Sequence, residues 1–273
     1  MCTLTGRTEL ELLALTLFDI THPDDRDTDR DALARIARGE LQPYATEKRY
    51  VRPDGTTVWV RLTANPVYDA DGHVVCLSAV VEDLTARKHA DAVLREAERR
   101  QQFLLHLSDA LRELSHPIEL QQTATRLLGE HLGVNRVHYA DVEGEEFVVR
   151  CAYAHGVAPL SGRSRIERLG GPSVSALQDS VTTVVHDVAT DPRLTDAERA
   201  RMRAVRIGAG VRLSLVREGR LVAGFAVNQI APRVWTPGEI ALIEQVAERV
   251  WHEGERLRGA QERRTHSACL VAL

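Results

Sequence analysis

The 273-residue chain is 44% hydrophobic and 27% charged, which excludes a disordered class, and its length favours about two domains. Thirty-five basic against 39 acidic residues leave a net charge of −4, without the basic excess of a nucleic-acid binder. No run approaches the roughly 18 uninterrupted apolar residues of a membrane span. The apolar stretch 10–20 is broken by Glu11 and Asp19 and follows no basic region, so it is no secretory signal. Cys2, Cys76, Cys151 and Cys269 form no C-x-x-C pair, which argues for reduced, cytoplasmic thiols and against a zinc knuckle or disulfide scaffold.

Leu10, Leu13 and Leu17 recur at helical spacing, and Thr21-His22-Pro23-Asp24-Asp25 supplies a cap-like start for a second helix. That helix runs through Ala32, Leu33 and Ile36 and is stopped at Gly39. The period then changes to two over 44–52, 56–67 and 73–83, separated by Pro53-Asp54-Gly55 and Asp69-Ala70-Asp71-Gly72, which predicts an antiparallel meander. From Thr85 no Gly or Pro intervenes until Pro117. Ala90, Leu94, Ala97, Leu104 and Leu111 follow a three-four alternation with Gln101 and Ser108 in the same seam. A continuous helix is expected, either a coiled-coil strand or one lying on a domain.

A helix is expected over 118–132, closed by Gly133, then strands over 136–142 and 146–154, with Phe147, Val149, Cys151 and Tyr153 on one face. Helical 174–180, strand-like 182–187, helical 195–205 and strands 209–216 and 221–229 follow, the last two joined as a hairpin by Arg217-Glu218-Gly219-Arg220. A final helix opens at Thr236-Pro237, with a seam of Ile240, Ile243, Ala247, Val250, Gly254 and Leu257. Hairpins dominate, so the fold class is α+β, with antiparallel sheets flanked by helices.

Two resemblances follow. Ile20 to Asp25, then Glu47-Lys48-Arg49-Tyr50, Asp54-Gly55, Trp59-Val60, Asp71-Gly72 and Glu82-Asp83-Leu84-Thr85-Ala86-Arg87-Lys88, in that order, resemble the C-terminal two thirds of a PAS domain. Leu128 to Val137, the motif Val185-His186-Asp187-Val188-Ala189-Thr190-Asp191-Pro192-Arg193, the Gly219 hairpin and Trp235-Thr236 resemble a GAF domain of the kind that follows PAS modules in bacterial sensor histidine kinases. The resemblance implies a PAS domain lacking its first hairpin over 1–87, a signalling helix over 88–115 that continues into a GAF domain over 101–258, and a tail at 259–273. A complete PAS sheet places that hairpin centrally, so its absence implies unpaired strand edges and an uncovered core face. The expectation is either a start upstream or loosely held residues 1–43.

For chemistry, His252-Glu253 superficially resembles the start of a phospho-acceptor box. With 21 residues after it, too few for a nucleotide fold, a solvated helix histidine is the expected reading. Gly170-Gly171-Pro172 and Gly208-Ala209-Gly210 match no phosphate-loop pattern and are expected in turns. His22 with Asp24 and Asp25, and His186 with Asp187 and Asp191, are not expected to hold a metal, and Ser173 and Ser175 are expected to cap rather than attack. No covalent bilin or flavin cysteine motif and no cyclic-nucleotide signature is found, so the cofactor is unknown. The resemblance implies a ligand pocket on one side of the GAF sheet, with candidates Tyr139, Cys151, Tyr153 and Phe225 inside and His186 at the rim. The reading weighed against it is that the aromatics fill core. In the PAS family Glu82, Asp83 and Thr85 tie the last strand to the exit helix and transmit signals. The expected protein is a noncatalytic sensory and dimerisation module of a two-component system. It would pair with a second copy through its terminal helices and work with a histidine kinase or response regulator. The alternative is a truncated or split histidine kinase.

Overall fold

The computed structural model describes residues 1–38, 40, 44–165 and 182–271. The chain forms two compact units, 1–99 and 100–273.

The first unit begins with α1 (Cys2–Thr5), α2 (Glu9–Leu13) and α3 (Leu17–Ile20), short helices where the leucine spacing predicted one longer element. Two capping boxes explain the break. The Thr8 amide donates to Glu11 Oε2 (2.7 Å), and the Thr16 amide to Asp19 Oδ2 (2.7 Å), so each threonine starts a new helix. Leu10 and Leu13 consequently face solvent. A 3₁₀ turn (Pro23–Asp25), N-capped by His22 Nδ1, leads into α4 (Arg26–Ala37), which buries Ala32 and Ile36. The expected stop at Gly39 lies outside the described residues.

Strands β1 (Tyr44–Val51), β2 (Thr57–Tyr68) and β3 (Val74–Asp83) form the expected antiparallel meander in that order. Tyr50, Val58 and Val60 meet Ile20 in its core. The His22 amide donates to the Arg49 carbonyl, docking the helical segment on β1. Beneath it, Asp29 of α4 and Lys48 of β1, each 2% exposed, pair at 2.5 Å, with the Tyr44 hydroxyl donating to the same carboxylate. Among the described residues β2 is the only strand partner of β3, and β3 buries none of its residues: Val75 is 65% and Val80 71% exposed.

The helix α5 (Thr85–Arg112) is continuous, as the missing breakers predicted, and spans about 42 Å. Its last turns give Phe103, Leu107 and Leu111 to the core of the second unit. There α6 (Pro117–Leu132) ends on Gly133. The sheet contains β4 (Arg136–Glu143), β5 (Glu146–Val149), β6 (Ala152–Ala154), β7 (Gly162–Arg165), β8 (Thr182–Val185), β9 (Ala209–Arg217) and β10 (Arg220–Gln229). The order is β7-β5-β4-β10-β9-β8, with β6 also on β4, and every pair is antiparallel. Helix α7 (Asp196–Ala204) follows β8, capped by the box Thr195 and Glu198, and α8 (Pro237–Val271) ends the unit. That last helix runs well past the Leu257 end of the expected seam, since neither Gly254 nor Gly259 breaks it.

One expected strand, 146–154, is two. Four steps separate Val148 from Ala152 while three separate their partners Asp141 and His138, so β5 and β6 flank a bulge that inverts the side-chain alternation. Phe147 and Tyr153 therefore lie on opposite faces of the sheet. Phe147 packs over Gly224, whereas Tyr153 packs against Gly129 of α6. The predicted common face for Phe147, Val149, Cys151 and Tyr153 does not exist.

The expected helix 174–180, with Ser173 and Ser175, and the cluster Gly170-Gly171-Pro172 lie outside the described residues. Among the described residues no helix is long and apolar enough to cross a membrane.

Candidate functional site

Among the described residues, polar side chains gather at the exit of β3 and on one face of the larger sheet in a way packing alone does not require. The first is the exit of β3. Asp83 Oδ1 accepts from the Thr85 amide (2.8 Å), the N-cap arrangement for α5, and this bond is the main cause that holds the Asp83 carboxyl below its ordinary range. Thr85 Oγ1 accepts from the Trp59 amide (3.1 Å), and the Leu84 amide donates to the Trp59 carbonyl (2.8 Å). The first turn of α5 is thus hydrogen-bonded to the middle strand of the sheet. Glu82 pairs with Arg61 (3.2 Å), which also reaches Glu47, and Glu47 in turn binds Lys88 (2.7 Å) on α5. Lys88 and Arg49 flank the Trp59 ring. A sliding movement of β2 against β3 must therefore break or carry these bonds.

The second place is one face of the larger sheet. Its strands expose alternate residues to two sides. Val137, Tyr139, Val211, Leu213, Phe225 and Val227 face α6 and α8 and form the main core. Register places the other set in two neighbouring rows: His138, Ala226, Arg212 and Thr183, then Arg136, Asn228, Gly210 and Val185. Over this face lie α7 and its flanking loops, which contribute Val188, Leu194, Met202 and Ile207. A cavity of about 20 Å³ remains between them, lined by these apolar residues and by Thr183, Arg212 and Asn228. That is room for a water-sized group or a little more.

The polar groups here are unevenly satisfied. Arg136 is fully used: its guanidinium donates to the Ala158 carbonyl (2.9 and 3.1 Å) and the Val205 carbonyl (3.3 Å). Asn228 is 7% exposed, yet its Nδ2 has no hydrogen-bond partner. Its Oδ1 overlies Gly210, where an added Cβ would come within 2.9 Å, so the glycine makes the space the carboxamide occupies. His138 Nδ1 is enclosed without a partner as well. Burial foremost, then Arg212 and Arg136, pushes the imidazole down to about 4, so it is neutral at pH 7. Burial also pulls Arg212 down, with Glu198 of α7 opposing that pull.

Tyr139 and Phe225 sit edge-on to each other in the helix-facing core, and burial raises the Tyr139 hydroxyl far above its ordinary value. Tyr153 lies on that same side, packed against the core. Cys151 is buried beside the Ile118 carbonyl and Gln121 of α6, and burial pushes its thiol up to about 11, an inert state. His186 clamps instead of lining a rim. Its Nδ1 accepts from the Trp235 amide (3.1 Å), its carbonyl accepts from the Arg233 amide, and Arg233 bonds Glu239 at the start of α8. The following motif bonds largely to itself: Asp187 accepts from Ala189 and Thr190, and Asp191 takes a two-pronged bond from Arg193 that pulls it to about 2. Tyr139, Phe225 and Tyr153 thus lie on the helix-facing side with Cys151 beside α6, and His186 lies apart, whereas the cavity borders Arg212 and Asn228, with His138 in the row of Arg212. Their signal was polar residues alternating with apolar ones on paired strands.

Among the described residues no three His, Cys, Asp or Glu side chains gather as metal ligands. His252 is exposed on α8 beside Glu248.

Family models match the PAS fold over residues 1–81 and the GAF domain over residues 116–253. Among curated proteins, the chain is 30% identical over 100 residues to the probable diguanylate cyclase DgcE of Escherichia coli (strain K12), covering 37% of this chain and 9% of that one. It is 24% identical over 95 residues to the sensor histidine kinase TmoS of Ectopseudomonas mendocina, covering 35% and 10%. The aligned stretch is thus about a tenth of either relative. Among solved structures, the chromophore-binding domain of the bacteriophytochrome RpBphP3 from R. palustris aligns with a TM-score of 0.52 at 13% identity, covering 95% of this chain and 88% of that one. A phycoerythrobilin-bound GAF domain from a cyanobacterial phytochrome aligns at 0.51 and 12% identity, covering 61% and 97%. At such identities the likeness is one of fold. The chain belongs to the GAF domain family, with a PAS fold ahead of the GAF domain, both of them sensory domains of bacterial signal transduction.

Proposed function

We propose that the chain is a noncatalytic sensory and dimerisation module, in which a molecule or partner bound by the GAF domain biases the packing of the long helices. The observation that carries this reading is α5 itself. Its first turn is bonded to β2 through Thr85 and to the end of β3 through Asp83, and its last turns fill the GAF core with Phe103, Leu107 and Leu111. A shift at either end meets the same helix, and output is a population shift between two helix packings. Glu82, Asp83 and Thr85 are the transmission residues of this reading. The ligand place is the polar face bearing Asn228, His138 and Arg212 rather than the aromatic core. Its small cavity supports a compact ligand, so the bilins of the phytochrome relatives are not carried over. Incubating the purified chain with ATP or GTP and Mg²⁺ and following the nucleotides by chromatography tests the noncatalytic part. Unchanged nucleotide is expected, and turnover would overturn it.

A second reading is that this is the sensory section of a histidine kinase or cyclase split from its catalytic part. The two curated relatives, each matched over about a tenth of its length, favour it. Sequencing the DNA on both sides of the coding region decides between them: a catalytic reading frame adjoining supports the second, and unrelated genes remove it.

A further inference from the structure

A relay through long helices needs a second joint, where the larger sheet meets α8, and this step rests on the helix-packing reading above. Along β4 alternate residues point to two sides of the sheet. Arg136 and His138 face α7, whereas Tyr139 and Asp141 face the helices, so a movement of the α7 face moves Asp141 as well. Three elements meet at this carboxylate. Asp141 Oδ1 accepts from Arg258 Nη1 of α8 (3.1 Å) and Oδ2 from Gln121 Nε2 of α6 (3.3 Å), while Arg150 stands off at 3.7 Å. Among the described residues Leu257 is the last α8 member of the main core, and Arg258 follows it directly.

Each partner of this pair has a substitute, which Asp29 and Lys48 lack. Arg258 also holds Glu255 one turn back (2.7 Å), so letting go of Asp141 leaves the guanidinium paired. Arg150, 40% exposed and already bonded to Glu143, can close on the freed carboxylate. Asp141 is 17% and Arg258 33% exposed, so water reaches both. Opening the contact strands no buried charge, whereas opening the enclosed pair of the first unit does. The two arrangements therefore lie close in free energy, as a switching contact requires.

We infer that Asp141 and Arg258 form a releasable latch between β4 and α8, with Arg150 competing for the same carboxylate. Closed, it holds the end of the core-packed part of α8 on the sheet. Open, it frees the helix beyond Leu257 to change its packing.

Amide hydrogen exchange of the full chain, read by mass spectrometry over residues 251–261 of α8, tests the latch. Asp141→Asn should speed exchange there by about five- to tenfold, while α6 and the β9–β10 hairpin exchange as before. Arg258→Gln should do the same, and it carries the test if Asp141→Asn does not fold. The double replacement should stay within about twofold of either single one, because both remove one contact. Arg150→Gln separates a latch from a merely structural network. Loss of the competitor should slow exchange over 251–261 by about twofold or more, whereas a network that only adds stability would loosen. Unchanged exchange in the Asp141 and Arg258 variants, or faster exchange in Arg150→Gln, would overturn the latch. Neither result touches the pairing of α5, which sedimentation of the full chain judges separately: a strict monomer would overturn that pairing and leave the latch standing.

Discussion

Asp83 accepts the Thr85 amide, and its loss should cost about 0.5–2 kcal/mol, the usual worth of an N-cap. Asp83→Ala should therefore speed amide exchange in the first turn of α5 while residues 44–64 exchange as before. A chain-wide acceleration would show that the bond does more than hold the helix start. The Asp29 and Lys48 pair is the opposite case, because both groups are enclosed. Burial pulls the lysine below its ordinary value and Asp29 pushes it back. Asp29→Ala strands the ammonium and should destabilise the first unit by about 3–5 kcal/mol in urea unfolding followed through Trp59. Joint replacement with Lys48→Met should recover most of that loss, and failure to recover would mean that the pair does more than compensate its own burial. His138 gives a pH dependence. Its folded value of about 4 lies below the ordinary 6.5 of a histidine, so the unfolded chain binds the proton more readily between the two. The stability tied to its neutral form is complete above pH 6.5 and drains away as pH falls towards 4, by about 3 kcal/mol. His138→Leu should flatten that slope, and an unchanged slope would refute the assignment.

At the scale of elements, the sequence showed what was periodic and hid what was local or non-local. The meander, α5, α6 and the β9–β10 hairpin were legible because alternation, missing breakers and turn residues all agreed. The capping boxes at Thr8 and Thr16 were also written in the chain, but leucine spacing outweighed them. The bulge between β5 and β6 was not legible, since it depends on pairing with β4, and that one-residue slip sent Phe147 and Tyr153 to different faces. The same non-local pairing decides which residues reach the cavity: the aromatics Tyr139 and Phe225 fill the core where helices cover the sheet, while polar Arg212 and Asn228 face the second side, which holds the cavity. In the β9–β10 hairpin, both central turn residues have positive φ, Glu218 at 50° and Gly219 at 72°. Asn tolerates that conformation better than Glu, so Glu218→Asn should raise stability by up to about 1 kcal/mol in thermal unfolding. A loss instead would mean that the glutamate side chain contributes more than its backbone strain costs.

At the scale of the molecule, the account turns on helices that remain available to a partner. On α5, Val93 and Leu105 are exposed, and Leu94, a member of the sequence seam, is 59% exposed. Leu104 and Leu111 of the same seam are spent on the GAF core. A helix that gives one stretch of its seam to its own domain and leaves another open is suited to pairing with a second copy, where exposed leucine and valine are buried at roughly 25 cal/mol per Å². The same open stretch follows the Asp83 and Thr85 junction, so pairing and transmission would share residues. Sedimentation velocity at tens of micromolar, comparing the wild type with Leu94→Glu, tests this most directly. The account predicts a dimer for the wild type and a folded monomer for the variant; a wild type that stays strictly monomeric, or a variant that dimerises as well, would contradict it.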